Sequence, residues 1–151
     1  MVMIATMLAA PTKIMAFAPT IVISEIAWAG SSTSNSDEWV ELTNMTNQSI
    51  DVSNWYLTGA SGDPLILPEE SIMAPYSTYL ISNYAQTHES SALGVPSNHT
   101  TPSVSLSNSG FAVHLYDSSG SQVDSAGDGG AAFSGRSGGT QDTDDGLYRT
   151  M

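Results

Sequence analysis

The sequence predicts an all-β domain, a sandwich or barrel of eight or nine short strands, and three observations carry that prediction. Apolar residues recur in short runs that alternate with polar ones, as in Phe111 to Tyr116, where Phe111, Val113 and Leu115 fall on one face. Clusters of Gly, Asn, Ser, Asp and Pro separate these runs at regular intervals. No stretch after residue 20 sustains a helical period.

In order, residues 21–28 form the first expected strand, and the polar stretch 29–36 (AGSSTSNS) is a loop. Residues 38–43 form the second, with Val40 and Leu42 facing a core and Trp39, Glu41 and Thr43 facing water. After a turn over 44–49, residues 50–58 read as one further strand carrying Val52, Trp55 and Leu57. Leu65 to Leu67 sits between Pro64 and Pro68 and suits an edge, because proline cannot donate to a ladder. Residues 72–75 lead into a strand over 78–82, and the Ser- and Asn-rich stretch 84–101 is expected to be a surface loop. Residues 104–106 precede a tight turn at Ser107-Asn108-Ser109-Gly110, and a hairpin through Asp117-Ser118-Ser119-Gly120 joins 111–116 to 121–125. The glycine-rich stretch 127–139 has no periodicity, and residues 146–150 (GLYRT) complete the expected set.

The length of 151 residues fits a single domain able to bury a core without staples, and the absence of cysteine removes disulfides, thiolate nucleophiles and Cys-ligated zinc. With 3 Lys plus Arg against 15 Asp plus Glu, the net charge of −12 repels phosphate backbones, so direct nucleic-acid binding is disfavoured. Hydrophobic residues still make up 40%, which separates the chain from a disordered acidic tail and fits an extracellular β protein. Residues 1–10 and 14–18 are apolar, and Ala16-Phe17-Ala18 has the small-x-small form of a signal-peptidase site. An export signal over 1–18 and a β domain over 19–151 follow as expectations, although no basic residue precedes the apolar run and Lys13 interrupts it. That interruption also argues against a membrane-spanning segment, which needs about 20 unbroken apolar residues.

The segments Ile23-Ser24-Glu25-Ile26, Asp37-Glu38-Trp39-Val40-Glu41-Leu42-Thr43-Asn44, Ile50 to Trp55, Tyr79 to Ile81, Leu106 to Gly110, Val113 to Asp117 and Leu147 to Thr150 together resemble the lamin tail domain family. The likeness is greatest to its exported bacterial and archaeal branch. No single motif is specific; the joint order and spacing carry the resemblance. It implies an immunoglobulin-like β-sandwich that is non-catalytic. It also implies a secreted or cell-surface module that binds a protein or surface component, alone or as the accessory domain of a hydrolase or nuclease. Gly146-Leu147-Tyr148-Arg149 departs from the small-residue–Met–Glu–Arg-like strand common in the family, and no catalytic domain accompanies the module in this sequence.

Three sets of residues are candidates for chemistry. Glu25 and Glu41 would face one another if their strands are neighbours, a repulsive arrangement unless something neutralises it. The choices are an ion pair with Arg149, solvated surface acids, or a shared metal. Asp142, Asp144 and Asp145, ahead of Gly146, loosely resemble part of a calcium loop to which Asp124 and Asp128 lie close in sequence. The distal bidentate Glu is missing, so the alternative is a solvated acidic linker. Apart from calcium there, no cofactor is expected. Among the aromatics, Trp55 and Tyr79 fall at positions that the resemblance assigns to the core. Trp28 and Trp39 are the candidates for an exposed platform that stacks on sugar rings, which would make the domain a carbohydrate-binding module. His88, His99 and His114 lack metal spacing, and no nucleophile-elbow or paired-His motif is present, so the chain is read as not an enzyme.

Overall fold

The computed structural model describes residues 20–110 and 112–130, and the expected export signal and the strand over 146–150 lie outside them. Ten strands occur within the described residues. They are β1 (Ile21–Ala27), β2 (Trp39–Asn44), β3 (Ile50–Asp51), β4 (Tyr56–Thr58), β5 (Leu65–Ile66), β6 (Ile72–Met73), β7 (Thr78–Ser82), β8 (His99–Thr100), β9 (Val113–Tyr116) and β10 (Gln122–Ala126). One sheet runs β1-β2-β7-β8, a second runs β10-β9-β4-β5, and β3 and β6 make a two-stranded ribbon. The immunoglobulin-like sandwich expected from the sequence is the fold observed.

Alternation explains the layers. On β2, Val40, Leu42 and Asn44 are fully buried, and on β9 Val113 and Leu115 are too. With Ile26, Leu57, Ile81, Val104 and Leu106, the apolar ones among these form one continuous core between the sheets. Burying a side chain of this kind contributes about 1.5–3 kcal/mol, so this interior dominates stability. The sheets are drawn together along one side where β1 lies beside β10. There the N–H of Ile23, on an edge strand, donates to Asp124 Oδ2 at 2.7 Å. Both strands are irregular at that point, β1 between Ile23 and Glu25 and β10 between Gln122 and Asp124. A bulge frees backbone groups from a ladder, and here a carboxylate takes one up.

Two expectations are corrected. Residues 50–58 are two strands, because Trp55 N–H donates back to Val52 O at 3.1 Å and Asn54 adopts a left-handed conformation (φ 61). Asp51 Oδ1 accepts the N–H of Ser53 at 2.9 Å, the local side-chain bond by which such residues favour turns over strands. The stretch 84–101 is not wholly irregular either. Asn98 pairs twice with Leu80, its N–H donating to Leu80 O at 2.9 Å and its Oδ1 accepting Leu80 N–H at 2.8 Å. This side chain stands in for a strand residue and starts β8, which is parallel to β7. β4 ends at Gly59 (φ 79), where a Cβ would fall 1.9 Å from the carbonyl oxygen of Ala112, so only glycine fits.

Candidate functional site

The stretch Asp37 to Asn44 is the best place to look for a site, because it concentrates acids on a central strand. β2 pairs with β1 on one side and β7 on the other, which fixes the direction of each of its side chains. Val40 and Leu42 enter the core, and Trp39 and Glu41 take the outer face of the first sheet.

Asp37 and Glu38, just ahead of β2, are both buried, at 1% and 6% exposure. Asp37 Oδ2 accepts the N–H of Ala92 at 2.7 Å and so ties down the long connection after β7. Its other oxygen, Oδ1, is buried without a hydrogen-bond partner. Glu38 Oε2 accepts the N–H of Leu106 at 3.0 Å. Burial pushes the Glu38 carboxyl up to about 7, while the bond from Leu106 pulls it down. Glu41 is the acid that alternation turns outward, whereas Asp37 and Glu38 each serve a backbone N–H inside the protein.

Glu25 and Glu41 are partners across β1 and β2, as the neighbouring-strand condition required. They are bonded to neutral donors. Trp39 Nε1–H donates to Glu25 Oε1 at 2.8 Å, and the hydroxyl of Ser24 lies 3.0 Å from Glu41 Oε1. Residues 20–130 contain twelve carboxylates and no lysine or arginine, so no Lys or Arg ion pair exists among the described residues. The expected partner Arg149 lies outside them, as do Asp142, Asp144 and Asp145. Among the described residues no three His, Asp or Glu side chains are grouped to hold a metal ion. Asp124 is committed to Ile23 N–H, and Asp128 Oδ1 accepts Gly130 N–H at 2.9 Å.

The aromatic platform is also corrected. Trp28 is 3% exposed and belongs to the main core. Trp39 is 5% exposed and packs with Ala27 and Leu80 on the outer face, under Leu93 of the long connection. The connection is pinned there by Asp37 and by Thr33, whose hydroxyl donates to Ser90 O at 2.8 Å. Trp39 is therefore hidden by a segment remote in sequence. A half-buried aromatic pair lies on the second sheet instead. Ile66, Tyr56, Tyr116 and Gln122 form one cross-strand row over β5, β4, β9 and β10, with the tyrosine rings stacked at 4.9 Å. Ile66 stands 58% exposed at its end. The sequence signal was available, since Tyr56 and Tyr116 each alternate with a core leucine.

The histidines have separate surroundings. His88 stacks on Tyr84 at 4.5 Å and accepts Ser90 N–H through Nδ1 at 3.1 Å. His99 sits in β8, where burial lowers its pKa. His114 lies beside Tyr116 with a buried, unpartnered Nδ1. Among the described residues no helix is long and apolar enough to cross a membrane.

Compared with known families, residues 16–130 match the model of the Lamin Tail Domain. A search of curated proteins found no match.

Proposed function

The chain belongs to the lamin tail domain family, a non-catalytic immunoglobulin-like family, and from that membership we propose a secreted or cell-surface interaction module that binds a protein or surface component. The observation that supports this reading best is the use made of the acids around β2. Asp37 and Glu38 hold backbone N–H groups, and Glu25 and Glu41 take bonds from Trp39 and Ser24. The chemistry of that stretch is spent on holding a scaffold together, which leaves surfaces rather than a reactive centre as the working parts. Export through residues 1–18 accounts for a cysteine-free, acidic domain that meets cationic or neutral partners outside the cell.

A glycan is the second reading, and the Tyr56–Tyr116 row with Ile66 favours it over the buried tryptophans. Calcium at Asp142, Asp144 and Asp145 is part of the same proposal, as is an accessory role beside a separate hydrolase or nuclease.

The test is to express the gene in an exporting host and sequence the N-terminus of protein recovered from the medium. The recovered protein is then titrated against intact cells and a polysaccharide panel. Recovery of chains starting at Pro19, with saturable binding to cells, supports the surface module. Binding confined to polysaccharides and lost in Tyr116→Ala supports the glycan reading. Retention of the intact chain inside the cell removes the export proposal.

A further inference from the structure

The chain passes from the first sheet to the second through residues 101–110, and this crossing is held in an unusual way. Val104 and Leu106 are buried in the main core at 1% and 5% exposure, yet the segment belongs to no strand. Its backbone is anchored by side chains as much as by backbone groups, among them Ser82 O, which accepts Thr101 N–H at 2.9 Å. Leu106 N–H donates to Glu38 Oε2 at 3.0 Å, and Asn83 Nδ2–H donates to Val104 O at 2.7 Å. Ser105 N–H reaches Ala60 O at 2.8 Å. Asn83 is itself tied to Glu38, its N–H donating to Glu38 O at 2.9 Å. Glu38 thus stands at both ends of the attachment, as a buried carboxyl with one N–H donor at Oε2.

We propose that residues 101–106 form a latch whose hold on the first sheet is set by the proton on Glu38: closed in acid, and released into local opening as the pH rises to neutrality. The physical reason is desolvation. A carboxyl buried beside one N–H is tolerated when neutral and costly when charged, whereas in the opened segment the charged form regains water.

The other titratable groups on the packed elements are engaged elsewhere. Glu25 and Glu41 project from the outer face, Asp37 is bonded to Ala92, and the Tyr79 hydroxyl lies 2.9 Å from that of Ser71. Tyr84 and His88 stack on one another, and Glu89 is exposed. His99, in register with the core-facing Ile81, is the remaining neighbour that titrates, and burial already favours its neutral form.

The sign follows from a folded value near 7 against an ordinary 4.5. Protection is greatest below about 4.5, and it is lost progressively until about 7, above which the loss levels off. Between pH 5 and pH 8 the full shift would raise the opening equilibrium roughly 70-fold, and solvent screening reduces the expectation to about 20- to 50-fold.

Hydrogen-exchange protection factors, corrected for the intrinsic pH dependence of exchange, test this in the native protein and in Glu38→Gln and His99→Gln. In the native protein and in His99→Gln, protection of the Leu106 amide should fall by that factor from pH 5 to pH 8. At each pH the Leu106 amide should be less protected than amides of the β2–β7 ladder, because the latch opens locally, although ladder amides that exchange through global unfolding feel the same linkage. In Glu38→Gln the change at Leu106 should shrink below about 3-fold. A pH dependence that survives Glu38→Gln, or follows His99 instead, overturns the proposal. So does protection at Leu106 equal to that of the ladder at every pH, which would mark opening of the whole fold rather than of the latch. If Glu38→Gln does not fold, the native protein and His99→Gln decide: Leu106 less protected than the ladder and losing protection in both supports the latch, and equal protection, or no loss between pH 5 and pH 8, overturns it.

Discussion

Asn44 closes β2, and its side chain is fully buried. Its Nδ2 donates to Gln48 O at 2.8 Å and to Ala74 O at 2.9 Å, and its Oδ1 accepts Thr46 N–H at 2.9 Å and the Thr46 hydroxyl at 2.8 Å. One amide thereby joins the turn after β2 to the turn before β7. Asn44→Ala removes these four bonds, each worth about 1 kcal/mol net, and a longer, weaker one to Met73 O at 3.4 Å, but the partners are not equally stranded. Ala74 O keeps bonds from Ser77, and Gln48 O keeps the Thr46 hydroxyl, whereas the Thr46 N–H loses its acceptor. The expected loss is therefore about 3 to 4 kcal/mol, short of the sum for four orphaned groups. At roughly 4 °C per kcal/mol for a domain of this size, the melting temperature should fall by about 12 to 16 °C. Asn44→Asp should be no better at neutral pH, since it sets a carboxylate oxygen against two carbonyl oxygens. It should recover in acid, where a protonated oxygen can donate again. Urea denaturation with Asn47→Ala as the exposed control measures both. A loss in Asn44→Ala within about 1 kcal/mol of that control would refute the reasoning.

Three further perturbations have defined outcomes. Gly59→Ala forces a Cβ onto the carbonyl of Ala112 in a left-handed backbone, so β4 must part from β9. A loss above about 3 kcal/mol is expected by denaturation, and a change under about 1 kcal/mol would contradict it. Asp124→Ala leaves the Ile23 N–H unpartnered where the sheets meet, and should cost about 1.5 to 3 kcal/mol and speed exchange at Ile23 first. For Arg149, paired on the sequence reading with Glu25 and Glu41, Arg149→Ala should lower the melting temperature more than Arg136→Ala, and equal shifts would remove that pair.

The sequence made the sandwich legible because its strands are half-buried. Val40 and Leu42 alternate with Glu41, and Val113 and Leu115 with His114, so both register and core could be read from a period of two. What it hid depended on contacts distant along the chain. Trp39 lies on the outward phase of β2 and would be wet but for Leu93, more than fifty residues on, lying over it. β8 begins because an asparagine side chain imitates a strand, which periodicity cannot register. The burial of Asp37 and Glu38 had one available signal. With no lysine or arginine from residue 20 to 130, any carboxylate drawn inside had to be met by N–H groups, and an acidic pair directly before a core strand was well placed to do so.

That same absence of basic residues bears on how the protein is degraded. Proteases of the trypsin type cut after lysine or arginine, and between Lys13 and Arg136 this chain offers them nothing. Most domains resist such enzymes only while folded, and each unfolding event exposes a cleavage site. Here every strand of the described sandwich lies between the two outlying sites, so a molecule that opens fully is no more vulnerable there than a closed one. Resistance to this class of protease is written into composition, and it would persist in Asn44→Ala even as that variant's stability falls. Enzymes that cut beside aromatic or apolar residues would report unfolding in this protein, and trypsin would not.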